Sequence, residues 1–597
     1  MKYSMKNIRT NIVEILKMIQ SASKFRIPLI VLKSFLDALP SLINIFIMKF
    51  VLDMGTSGSS WVKVIWVISA ALLLYFIVAA YNAWFNQKYR VHSDLKIKEY
   101  LEGMMYSKIR EIDVEAYDNT EFYSSYVKAV NEINSRAMGV LGTLSTMLCN
   151  IISLIGVASF IIYLRWELIL FVIIYILLST LLSNRKLKVV YRADIAQVDT
   201  TRKIGYVGRL FYLKDYLKDL KVFNLYDFFI NRFKRDIKTL HAVKSEYENK
   251  LTLYDLAQNM LQVVFVLAMI AFLGIELILR QITAGSFAGL LNSAQSLGYA
   301  VQQMFTFFPD MVLHSKYIDN INEFLNYRTK IELINQGEKV KRGEHIISLR
   351  NVCYKYDGAS NNTIKDICLD IKTGESLAIV GYNGAGKTTL IKNIIRLYDP
   401  TEGELTIDGL NYKDYDIGSL RSSMGVVFQD FTVFAVSIAE NILLRASQTA
   451  ADEELVWNAL RISGLDKKVE SLPDGIHSIL TKEFDENGVV LSGGEVQKLA
   501  VARAVAQDYD ILIFDEPTSA LDPISEYELL NKIREISKGK ILIIISHRLY
   551  AIQSMDRIVY LENGSIAEYG NHESLIKQNG KYAAMYLAQS GDKNNAV

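Results

Sequence analysis

Between Pro40 and Pro309 the chain contains no proline. Proline breaks helices because it lacks an amide donor and its ring clashes with the preceding turn. A gap of this length permits long, uninterrupted helices, and apolar runs crowd the same region. Six runs approach the roughly 20 residues that a bilayer demands: 28–51, 64–85, 140–164, 167–183, 254–279 and 284–308. The fourth is short and the sixth is polar. Connections after the first, third and fifth runs are very short. Those after the second and fourth, 86–139 and 184–253, are long, charged and free of proline, so they read as helices continuing far beyond the membrane. Their Lys and Arg content places them in the cytoplasm, and an even number of spans then puts both chain ends there too. Residues 1–24 are basic and have no long apolar stretch. They read as an amphipathic helix on the inner membrane surface and not as a cleaved signal peptide.

The composition changes after residue 325. Residues 326–345 are polar and charged and read as a linker, and nothing in 346–597 is long enough to span a bilayer. Apolar strand-like stretches at 376–380, 425–428, 511–514, 541–545 and 557–561 alternate there with helical ones. That alternation predicts a parallel-sheet α/β domain. The fold expected is a helical transmembrane domain over 1–325 fused to an α/β domain over 346–597. Net charge is +2, from 66 basic and 64 acidic side chains, which argues against nucleic acid as a partner. Three cysteines, Cys149, Cys353 and Cys368, offer neither a disulfide scaffold nor a metal cluster.

The strongest local signal is Gly381-Tyr382-Asn383-Gly384-Ala385-Gly386-Lys387-Thr388, which matches the phosphate-loop pattern and is followed by Thr389. A strand precedes it and a helix-forming segment follows. Glycines let backbone N–H groups curl round phosphates, and the helix N-terminus adds a favourable dipole. Lys387 can neutralise β/γ-phosphate charge and the Thr388 hydroxyl can ligate Mg²⁺. Downstream, Ile511–Phe514 ends in Asp515 and Glu516. Asp515 would hold Mg²⁺, and Glu516 would polarise the attacking water. The bland alternative for two acids after a strand, a solvated strand end, loses ground once a phosphate loop lies upstream. Ser492-Gly493-Gly494-Glu495 is a second phosphate-binding helix start. Two such sites in one domain cannot grip one nucleotide unless two domains meet head to tail.

Leu491–Glu495 resembles the signature of the ATP-binding cassette (ABC) family, and the order of six spans and one cassette resembles an exporter-type half-transporter. The resemblance implies ATP and Mg²⁺ as cofactors and assigns the remaining landmarks. Tyr356 would stack on adenine; the alternative is a core aromatic of a strand. Gln429 would sense Mg²⁺ and touch the membrane domain. Asp485–Gly488 resembles an exporter-specific acidic segment. Ser519–Asp522 resembles the loop crossing to the partner cassette, with Asp522 contributing to the nucleotide site. His547 would contact the γ-phosphate. Since one chain supplies both halves of a working site, a homodimer with two hydrolytic sites is expected; an unlike partner is the alternative.

The cargo is less legible. In the sixth run Asn292, Ser296, Tyr299 and Gln303 fall on one helical face, and the first carries Ser34, Asp37, Ser41 and Asn44. Polar groups in hydrocarbon are costly, so these faces line either a cavity or a helix interface. Asp37 would attract a cationic substrate or pair with Lys33. Residues 113–126 and 216–229 interrupt the long cytoplasmic helices and resemble the exporter family's docking segments. The first is similar to a segment of bacterial peptide and lantibiotic exporters. No N-terminal cysteine-protease domain precedes the spans, so the chain is not expected to cut a leader. The function expected is ATP-driven export of a peptide across a bacterial plasma membrane. The alternatives are a lipid flippase or multidrug exporter, and, in another class, an ATP-gated channel or regulator.

Overall fold

The computed structural model describes residues 5–57, 61–331, 337–518 and 520–590. Residues 332–336 of the expected linker and Ser519 lie outside them. The chain forms two compact units. The first comprises Met1–Arg110 and Ser124–Tyr327, the second Glu111–Tyr123 and Arg328–Val597.

The first unit is helical. Its elements are α1 (Met5–Ala22), α2 (Arg26–Thr56), α3 (Trp61–Trp84), α4 (Arg90–Glu111), α5 (Thr120–Leu164), α6 (Ile169–Tyr212), α7 (Lys214–Val222), α8 (Tyr226–Ile278) and α9 (Ala284–Leu325). A π-helical turn at Phe85–Tyr89 joins α3 to α4, so Trp61–Glu111 runs as one helix. The proline-free connections are indeed helical extensions, interrupted only by a 3-10 turn at Val114–Asp118 and by α7. Along the membrane helices Ile45, Phe160, Val172, Phe265 and Leu290 share a buried seam, while Leu72, Phe76, Leu177 and Val264 face outward. Apolar side chains on both the inner and the outer face are what a hydrocarbon solvent permits.

Among the described residues five helices are long and apolar enough to cross a membrane, not six. The sixth expected span is helical, but α9 carries too many polar residues to qualify on composition. It also runs through Pro309 to Leu325, beyond the expected end at 308. Burial of Met311, Ile318, Ile321 and Phe324 along that stretch outweighs a proline penalty of about 3 kcal/mol.

In the second unit the strands are β1 (Ile346–Tyr354), β2 (Ile364–Lys372), β3 (Ser376–Val380), β4 (Glu402–Ile407), β5 (Leu410–Asn411), β6 (Met424–Val427), β7 (Ile511–Asp515), β8 (Ile541–Ile545), β9 (Arg557–Glu562) and β10 (Ser565–Gly570). The larger sheet has the order β10-β9-β3-β8-β7-β6 and is parallel except at its β10 edge. Strands β7 and β8 are buried throughout, as the continuous apolar runs require. A second sheet, β2-β1-β4-β5, is antiparallel and was not announced by the expected alternation. The helices are α10 (Lys387–Ile394), α11 (Ile417–Ser422), α12 (Ile438–Leu443), α13 (Ala450–Ser463), α14 (Asp466–Glu470), α15 (Gly493–Val505), α16 (Pro523–Ile536), α17 (His572–Lys577) and α18 (Lys581–Ser590). Of these, α12, α13 and α15 share a core of their own around Ile442, Val456, Leu460 and Leu499.

The segment Glu111–Tyr123, which links α4 to α5, belongs to the second unit. It is therefore not grouped with the rest of 1–325. Its acids make the attachment. Asp113 accepts from the backbone N–H of Lys330 (2.5 Å) and Ile331 (3.2 Å), and Glu115 pairs with the Lys330 ammonium at 3.1 Å. Asp118 accepts from the Tyr398 hydroxyl at 2.7 Å.

Candidate functional site

The phosphate loop leaves β3 and enters α10. Three of its glycines, Gly381, Gly384 and Gly386, lie in the left-handed region, and the first and last also meet close neighbours. Gly381 has φ +146, and a Cβ there would lie 2.2 Å from the Leu561 carbonyl oxygen. Gly386, with φ +100, precedes α10, and a Cβ there would lie 2.8 Å from Ile364 Cδ1. Only glycine fits both the angle and the space. Lys387 is 7% exposed, and its ammonium donates to the carbonyls of Gly381 (3.0 Å) and Tyr382 (3.1 Å). Burial pushes its pKa down, and Glu516 and Asp515 pull it part of the way back. Ala385 is buried, whereas Tyr382 is exposed.

Glu516 and His547 are brought to the loop by adjacent strands, since β7 and β8 pair in parallel. Glu516 stands just past β7 with φ +51, a conformation that residues other than glycine, asparagine and aspartate rarely take. Its carboxylate accepts from Gln429 Nε2 at 3.2 Å and lies 2.7 Å from His547 Nε2. These three residues and the loop residues Asn383, Gly384 and Gly386–Thr389 line a cavity of about 450 Å³. Thr363 also lines it and was missed by sequence reasoning, for nothing in its neighbourhood marks it.

Asp515 is 1% exposed, and neither of its carboxylate oxygens has a hydrogen bond of normal geometry. Burial pushes its pKa up, the Thr388 hydroxyl beside it acts the other way, and Glu516 adds to the rise. A buried carboxylate beside a hydroxyl, its oxygens left without well-formed hydrogen bonds, suits a hard divalent cation. The residues present thus fit Mg²⁺.

Other expected site residues lie elsewhere. The Tyr356 ring meets Tyr354 and Tyr398 edge-on, and its hydroxyl is 3.1 Å from Thr389 Oγ1. Its position adjoins the loop without lining the cavity. Ser492 caps α15 in a reciprocal capping box with Glu495, and Gly493 and Gly494 form the first turn. Asp522 caps α16, accepting from Ile524 N (3.1 Å) and Ser525 N (3.0 Å). None of these lines the cavity either, among the described residues.

In the first unit Asp37 and Asn44 of α2 are engaged with α3, whereas Ser41 bonds within its own helix. Asp37 pairs with Lys33 and accepts from Asn82 Nδ2 at 2.7 Å. Asn44 accepts from the Tyr75 hydroxyl at 2.8 Å, and Ser41 donates to Ala38 of its own helix at 2.8 Å. On α9, Tyr299 is exposed and Asn292, Ser296 and Gln303 are half-buried, whereas Ser293, Leu297 and Val301 are buried. The polar stripe is therefore the less packed face of α9.

Residues 364–519 match the family model for ABC transporters. An ATP-dependent lipid A-core flippase from Burkholderia orbicola is 31% identical over 487 residues, covering 78% of this chain and 76% of that protein. A subtilin transport ATP-binding protein from Bacillus subtilis is 27% identical over 517 residues, covering 85% and 82%. An ABC transporter ATP-binding protein of Bacillus subtilis is 40% identical, but over only 41% of each chain. A solved structure of a bacterial Atm1-family ABC exporter with ATP bound has the same fold: TM-score 0.77 at 21% identity, over 95% of this chain and 99% of that one. Helical membrane unit, cassette and relatives define an ATPase coupled to transport across a membrane. The chain belongs to the ABC transporter family.

Proposed function

We propose that this protein is an ATP-driven exporter in a bacterial plasma membrane, working as a homodimer with both chain ends in the cytoplasm, and that its cargo is a peptide. The observation that carries the coupling of ATP to transport is the docking of Glu111–Tyr123. This segment joins two long helices yet is held in the nucleotide-binding unit by Asp113, Glu115 and Asp118. A displacement of that unit is delivered to α4 and α5 through the chain itself.

Each ATP would be gripped by one chain's phosphate loop and the other chain's Ser492–Glu495 and Asp522. This is supported by the separation of those residues from the cavity that the loop lines. Backbone N–H groups of the loop and Lys387 would bind the β/γ-phosphates, with Tyr356 beside the adenine. Asp515, Thr388 and Gln429 would hold Mg²⁺, which when bound neutralises phosphate charge. Glu516 would accept a proton from the attacking water, and His547, 2.7 Å from it, would orient the γ-phosphate. ATP favours the closed arrangement only insofar as it binds that state better than the open one.

The peptide reading is supported by the Asp113–Tyr126 resemblance and by the subtilin-transport relative. A lipid cargo is the second reading, favoured by the higher identity to the lipid A-core flippase. The polar stripe of α9 and the residues Asp37, Ser41 and Asn44 are the candidate cavity lining. The test is ATP-dependent uptake of a labelled cationic, partly hydrophobic peptide into inside-out vesicles. Uptake by the native protein alone, and not by Glu516→Gln, supports the reading. Intact ATPase without peptide uptake refutes the peptide and shifts the assignment to lipids or drugs.

A further inference from the structure

His547 sits two residues past the end of β8, where the strand's ladder no longer holds the chain. Its backbone is held instead by an element at the other end of the unit. Gln589, in the last turn of α18, donates from Nε2 to the His547 carbonyl at 2.6 Å. The same side chain accepts at Oε1 from the Leu549 N–H at 2.9 Å. A carboxamide carries one donor arm and one acceptor arm, so a single side chain brackets the peptide groups on either side of Arg548.

Helix α18 is a firm base for that bracket. Tyr582 is fully buried, and its hydroxyl is 2.8 Å from His572 Nδ1. The Tyr586 hydroxyl accepts from Gln553 Nε2 at 2.8 Å. The far side of the turn is fixed as well. Arg548 Nη1 donates to Glu526 Oε2 at 2.5 Å and to the Leu521 carbonyl at 3.2 Å. Glu526 is fully buried and also accepts from the Thr518 hydroxyl at 2.5 Å, two residues after Glu516. One anchor therefore ties His547 to the Glu516 segment, and Gln589 is the other.

We propose that Gln589 is a positioning residue for ATP hydrolysis, holding the His547 backbone so that its imidazole meets Glu516 and the γ-phosphate. This rests on the reading of His547 given above. Gln589 is itself exposed, so replacing it removes two hydrogen bonds without opening the core. Leucine supplies neither arm, and glutamate supplies the acceptor but not the donor.

The test measures steady-state ATP hydrolysis and thermal unfolding of the full-length protein in lipid nanodiscs, for Gln589→Leu, Gln589→Glu and His547→Ala. Both Gln589 variants are expected to lower kcat about tenfold, the scale of one or two lost hydrogen bonds, with KM for ATP within about twofold and Tm nearly unchanged. A kcat within about twofold of native in both variants overturns the proposal while His547→Ala remains inactive. A lowered Tm with native kcat also overturns it, since the bracket would then serve stability alone. Full activity in His547→Ala overturns the underlying reading of His547 instead.

Discussion

Replacing Glu516 by glutamine isolates the proposed base with little change of shape. The two side chains have the same length, and the positive φ of Glu516 strains both alike. What disappears is the charge and the capacity to take a proton. Glu516 is the one acid lining the cavity among the described residues, and Asp515 next to it is buried. No second carboxylate therefore stands ready to replace it. A positioned general base contributes about 10²–10⁴ in rate, or roughly 2.7–5.4 kcal/mol at about 1.36 kcal/mol per factor of ten. Without a substitute base the upper half of that range is expected. ATP binding should survive within about threefold, because Lys387 and the loop's backbone donors are untouched. Phosphate release from the protein in liposomes reads turnover, and titration with a fluorescent ATP analogue reads affinity. A turnover above one tenth of native with binding intact would refute the assignment of the base.

Lys387→Ala should weaken ATP binding at least tenfold, measured by the same titration; an unchanged affinity counts against its phosphate contact. Gly381→Ala would force a methyl against the Leu561 carbonyl oxygen, 2.2 Å from its ideal place. A loss of about 2 kcal/mol or more in unfolding free energy is expected, and a native-like melt would disprove the tight approach. Tyr398→Phe removes the hydroxyl bonded to Asp118 at 2.7 Å and to Lys392 at 3.1 Å, and keeps the ring stacked on Tyr354. ATP hydrolysis should persist while cargo moved per ATP falls severalfold, a ratio that reconstituted vesicles report directly; a native ratio would show that the docking of Asp118 carries no coupling.

The phosphate loop, the strand ending in Asp515–Glu516 and the helix start at Ser492 were legible because each is a local pattern. Their glycines, caps and apolar runs act within a few residues. The antiparallel sheet was not legible. Strand β1 is nine residues long but alternates between buried and less buried positions and shifts register against β4 between Arg350 and Cys353, so no continuous apolar run announces it. Tyr356 was readable either as an adenine platform or as a core aromatic. Its contacts with Tyr354, Tyr398 and Thr389 place it between those roles. The polar residues of α2 were recognised, and so was the Asp37–Lys33 pair, but not the partners on another helix. Asn82 and Tyr75 come from α3, and no periodicity in α2 could name them.

What the sequence determined by itself is the engine and its setting. Long proline-free apolar stretches leave helices as the satisfied backbone in hydrocarbon, and GxxxxGKT after a strand leaves a nucleotide site. What the tertiary structure decided is how separated pieces meet. Parallel pairing of β7 with β8 sets Glu516 beside His547, although 31 positions separate them in the chain. Folding assigned Glu111–Tyr123 to the nucleotide-binding unit and Gln589 to the turn after β8. Such contacts join residues tens to hundreds of positions apart. They arise from packing of complete elements, which no local pattern encodes.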